Sequence, residues 1–145
     1  MFKGTSAKAG STYPRVIGVE IDRAYPIAGT PRTLEVAAHS PVQCGGHGLT
    51  YSDLAYYTAP SGAGVFASGS MGFAIGIGGT NAPAGIRQAS STFVKTVTQN
   101  LFAAILVGPM HKAHTAHPPL ASLPDSSNPS TVRTCNSATR LAEDS

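Results

Sequence analysis

Few side chains here are of types and at spacings that could do chemistry. Two carboxylates, Glu20 and Asp22, close the apolar run Val16-Ile17-Gly18-Val19. Residues i and i+2 of a strand share a face, so the pair could offer oxygen to a hard cation. In open α/β sheets, sites gather at strand carboxyl ends. The plainer alternative is a solvated strand end. Tyr56 and Tyr57 are adjacent, so on a strand they face opposite ways. A phenolate suits ferric iron, but packing with a hydrogen-bonded hydroxyl explains a strand tyrosine equally. His111, His114 and His117 recur every third residue, which is a ligand spacing on a helix. Pro109 precedes them and Pro118-Pro119 follows, so adventitious metal binding is expected there and a built site is not. Cys44 and His47 lack a third group to orient the imidazole. Ser61 lacks the first glycine of a nucleophile elbow and reads as part of a turn. Gly62-Ala63-Gly64 lacks the third glycine of a dinucleotide fingerprint.

The elements that must position these groups are short. β-branched residues predict a strand over Val16–Ile21, buried on both faces. Alternation predicts a second over Thr33–Ala38, halted at His39-Ser40-Pro41 because proline lacks a donor and restrains its predecessor. Residues 42–50 read as a loop. Strands are expected at Leu54–Thr58 and Val65–Ala67, joined by a turn at Pro60-Ser61-Gly62. A weaker strand is expected at Phe73–Ile77, undercut by Gly76, Gly78 and Gly79. One clear helix runs from Ser90 or Ser91 to Val107, with a serine N-cap. Phe93, Val94, Val97, Leu101, Ile105 and Leu106 form its apolar face, and Gly108-Pro109 ends it.

The 145 residues suit one domain. Residues 1–14 read as a flexible leader, 15–108 as the folded part, and 109–145 as a Pro/Ser/Thr-rich disordered tail. Charged residues are only 12% of the chain, about half the usual share. The basic ones are scattered, so a nucleic-acid partner is not expected. No apolar stretch is long enough to span a membrane, and no signal peptide opens the chain, which leaves the cytoplasm as the expected compartment. Two cysteines, Cys44 and Cys135, make neither a disulfide framework nor a zinc site. One long helix cannot cover both faces of an α/β sheet. The chain therefore reads as part of an α/β domain whose neighbours lie upstream or on a partner chain.

The stretch Ser52-Asp53-Leu54-Ala55-Tyr56-Tyr57-Thr58-Ala59-Pro60-Ser61-Gly62-Ala63-Gly64-Val65-Phe66-Ala67-Ser68-Gly69-Ser70-Met71 resembles the C-terminal region of N,N-dimethylformamidase large (beta) subunit-like proteins. These share the Tyr-Tyr, the Ser-Gly-Ala-Gly-Val-Phe and the Gly-Ser-Met in that order. Gly18-Val19-Glu20-Ile21-Asp22 is similar to their Gly-x-Glu-x-Asp, Ser40-Pro41 to their Ser-Pro, and Phe93-Val94 through Val97-Thr98 to Asn100-Leu101 to their closing helix. Phe73 stands near their usual tryptophan. The resemblance spans about residues 15–110. It implies an α/β fold of the class I glutamine amidotransferase kind, a three-layer sandwich present here only in part. It also implies an amide-hydrolase ancestry, with one iron held by two tyrosines and a glutamate. Those tyrosines lie upstream of the region covered here, and the glutamate maps to Glu20. The expectation is thus the C-terminal fragment of an iron-dependent amide hydrolase, inactive alone. The alternatives are a non-catalytic interaction module that pairs through sheet edges, or a truncated reading frame.

Overall fold

A computed structural model describes residues 1–17, 20–43, 49–79 and 85–109. The expected disordered tail therefore lies outside the described residues, apart from Pro109. The chain is mixed α/β. Three antiparallel strands stand in the order β1-β2-β3: β1 (Glu35–Gln43), β2 (Leu49–Thr58) and β3 (Gly64–Ala67). Two helices follow, α1 (Met71–Ile77) and α2 (Gln88–Val107).

The β2–β3 hairpin forms where the sequence places it. Gly62 N donates to Ala59 O at 2.8 Å around Pro60-Ser61, with proline at the first central position as such a turn favours. β1 differs from expectation. It runs through His39-Ser40-Pro41, and Pro41 pairs with Tyr51. The missing donor is tolerated because β1 is an edge strand and Pro41 is exposed. Val36 lies opposite Ala55 but Ala38 lies opposite Leu54, so β1 carries one extra residue, a bulge.

That extra residue sets which side chains share a face. Ala38, Ser40 and Val42 fall with Leu54, Ser52 and Thr50. Phe66, opposite Tyr56, lies on the same side. This face meets the helices. Leu54, Phe73, Phe93, Val94 and Val97 form the buried core, with Ala38, Phe66 and Leu101 packed around it. The other face carries His39, Tyr51, Asp53 and Tyr57.

α1 replaces the strand expected at Phe73–Ile77. A short apolar run does not separate strand from helix by pattern; its cap does. Ser70 is extended, and its Oγ accepts from Gly72 N at 3.2 Å. Gly76 lets α1 lie against α2, since a Cβ there would come within 3.1 Å of Val94 Cγ2. α2 begins earlier than expected. Arg87 is its N-cap and makes no side-chain cap bond. Ser90 and Ser91 are instead buried in the first turn. Ser90 Oγ donates to Pro14 O at 2.8 Å and Ser91 Oγ to Gly76 O at 3.1 Å, so they fasten other segments to the helix.

Residues 1–14 have no regular structure but lie along α2. Tyr13 stacks on Phe93 with ring centroids 3.9 Å apart, and Phe2 packs on the same ring at 6.0 Å. Asn100 Nδ2 donates to Met1 O and Lys3 O. Of the residues expected as a strand over Val16–Ile21, the described ones (16, 17, 20 and 21) are not in one. Arg15 takes a left-handed φ of 64°, Val16 and Ile17 form a bend, and Glu20 makes a single isolated bridge.

Candidate functional site

The polar face of the sheet holds the most concentrated chemistry. β1 supplies His39, and β2 supplies Tyr51 and Asp53. Residues 20–24 lie beside β2 where β3 leaves it. Asp53 N donates to Asp22 O at 2.9 Å, and Asp22 N donates to Gly69 O at 2.8 Å. This crossing requires glycine at 69. Its φ is +70°, and a Cβ there would stand 2.3 Å from the Asp53 carbonyl oxygen.

Asp53 is a carboxylate with a side chain only 2% exposed. Such burial is tolerated only when both oxygens are satisfied. Oδ2 accepts from Ala24 N at 2.9 Å, and Oδ1 meets His39 Nδ1 at 2.6 Å. The second contact has the length of a charge-assisted hydrogen bond. It makes Nδ1 the donor, and in the neutral ring that leaves a bare lone pair on Nε2. The imidazole is clamped further by Tyr51, whose ring stacks on it at 4.1 Å and 17°. The Arg23 guanidinium lies 5.3 Å from the Tyr51 ring and 5.1 Å from the Tyr25 ring, within cation–π range. His39 Nε2 is itself buried and meets no hydrogen-bond partner. Buried polar atoms in this state are few in folded proteins, and each calls for an explanation such as strain, a bound water or a functional role.

The residues singled out from sequence are placed differently. Glu20 and Asp22 are both exposed. Asp22 enters the site through its backbone. Tyr56 is buried on the Leu54 face, and Tyr57 is half-buried on the Asp53 face, so the two do not converge. Burial, with the Glu35 carboxylate adding to it, pushes the Tyr56 phenol above its ordinary value. A phenol so placed is harder to ionise. Among the described residues, no three His, Cys, Asp or Glu side chains stand together to hold a metal. Ser61 lies in the hairpin turn, where its Oγ accepts from Ala63 N. Cys44, His47, His111, His114 and His117 lie outside the described residues.

His39 and Asp53 were not legible as a site. His39 read as part of a strand stop, and Asp53 preceded the expected start of its strand. The available signal was a charged residue at the head of an apolar strand run, which requires a buried partner.

No curated protein and no solved structure matches this chain. The family described as N,N-dimethylformamidase beta subunit-like, C-terminal, matches residues 1–86. The match takes in residues 1–14, which lie outside the span read from motifs, and it stops before α2. It contains the whole sheet, α1 and every residue of the polar-face cluster. With 86 of its 145 residues matched, the chain belongs to the N,N-dimethylformamidase beta subunit-like, C-terminal family.

Proposed function

We propose that this chain is the C-terminal part of an amide hydrolase that cleaves small formamides of the N,N-dimethylformamide type. The observation that carries this reading is the family match over residues 1–86. In this reading the chain completes a class I glutamine amidotransferase-like sandwich together with upstream residues or a partner chain. The described residues do not by themselves bring three His, Cys, Asp or Glu side chains together, and Tyr56 and Tyr57 lie on opposite faces of β2, so they do not by themselves make an iron site. Glu20 is exposed and would give one carboxylate to an iron whose other ligands come from outside this chain. Such an iron would act as a Lewis acid on the amide carbonyl.

The test is iron content and amide cleavage, measured on the chain alone and on the chain assembled with its upstream part. The expected result is no stoichiometric iron on the chain alone. The assembly should hold one iron and release amine from N,N-dimethylformamide, and Glu20→Ala should lose both. Stoichiometric iron on the chain alone, lost in Glu20→Ala, would mean that the site is self-contained and overturn the fragment reading.

A further inference from the structure

A carboxylate, an oriented imidazole and an unpartnered ring nitrogen form a recognisable device. In nucleophilic and hydrolytic sites the base is held by a third group so that its free nitrogen points one way. Asp53 does this for His39. Its carboxylate is itself fixed from two sides, by Ala24 N and by the 2.6 Å contact to Nδ1. The ring cannot swing freely, because Tyr51 stacks on one of its faces. Of the two side chains His39 is the less buried, 18% exposed against 2% for Asp53, with Nε2 itself buried. Both hydrogen bonds that residues 20–24 make to Asp53, from Ala24 N and to Asp22 O, tie His39 to the segment that carries Glu20.

We propose that His39 is a catalytic base, with Asp53 as its positioning residue, acting through Nε2 on a water molecule. This rests on the amide-hydrolase reading. Nε2 takes a proton from the water as its oxygen bonds to the amide carbonyl carbon. The carbonyl electron pair moves to oxygen and returns as the carbon–nitrogen bond breaks. The departing nitrogen keeps that bond's electron pair and takes the proton from Nε2. One water and one amide become one carboxylic acid and one amine, and the imidazole is regenerated neutral. A reactant water at Nε2 would give that nitrogen the partner it lacks among protein atoms.

Two measurements test this. Nitrogen-15 spectra of the full chain should show His39 as the Nδ1–H tautomer, with Asp53→Asn weakening that preference. An Nε2–H tautomer would overturn the proposal. In the amide-cleaving assembly, His39→Gln should keep a cooperative melt and lower kcat about 10²–10⁴-fold with little change in KM. His39→Ala should recover activity on adding free imidazole, which a merely structural histidine would not do. Wild-type kcat in His39→Gln would sink the base role and leave the amide-hydrolase reading standing. An assembly that binds iron but cleaves no amide would sink both.

Discussion

The two faces of one small sheet are built on opposite rules. The helix-side face is held by area: Leu54 meets Phe73, Phe93, Val94 and Val97, and Val94 and Val97 are wholly buried. Contacts there are non-directional, and their worth scales with the surface removed from water. The polar face is held by direction. Asp53, His39 and Ala24 N are joined by two hydrogen bonds, and each fails if a partner moves. The first face makes the fold, and the second spends part of that stability to hold a charged group in place. Stability lost on one face and chemistry lost on the other should therefore be separable.

The largest expected effect is on the apolar face. Phe93 touches both Phe2 and Tyr13. Phe93→Ala should lower unfolding free energy by about 3–5 kcal/mol, read by urea denaturation, and should release residues 1–14 to proteolysis. A loss under about 1 kcal/mol would show that this ring does not anchor the core. Asp53→Ala comes next. It leaves the His39 Nδ1–H and Ala24 N–H donors without their acceptor, so about 2–3 kcal/mol should be lost. A neutral or stabilising result in the same denaturation series would show that the buried carboxylate is not satisfied as described.

A smaller effect separates the faces by pH. The Tyr56 phenol is raised in the folded state, first by burial and then by Glu35. Its contribution is thus fully present below the unfolded value of roughly 10. It is lost as pH rises through the higher folded value. Tyr56→Phe should make stability fall less steeply above about pH 10, followed by fluorescence or circular dichroism. An unchanged alkaline slope would remove the phenol from the account. The smallest effect is expected at the far end of α2, where Leu106 is 85% exposed. Leu106→Gln should change stability by no more than about 0.5 kcal/mol. A larger loss would show that this turn is covered in solution.

The apolar face was largely legible from sequence. The period of Phe93, Val94, Val97 and Leu101 announces α2, and Pro60-Ser61-Gly62 announces the hairpin. Both are local signals. α1 was misread because Phe73–Ile77 is too short to display a period, and the decisive residue, Ser70, lies outside the run. The polar face was not legible because it depends on pairing between strands. His39 and Asp53 are 14 residues apart, and nothing local to either says that they meet. Glu20 and Asp22 were visible as carboxylates. Both are exposed, which the plainer alternative of a solvated end allows.

The bulge in β1 carries a last consequence. Counting from Val36 opposite Ala55, an unbroken ladder would set Ala38 against Asp53 and His39 against Ser52, and the imidazole would point into the core. One extra residue inverts that parity and brings His39 out opposite Asp53. The dyad is therefore a matter of phase as well as of composition. A homologous chain with one residue fewer between Val36 and His39 would reach the same pair through an unbroken ladder, whereas one of the present length without the bulge would lose it. Presence of His and Asp in an aligned column is thus no proof of the site; the spacing ahead of the histidine and the bulge decide it together.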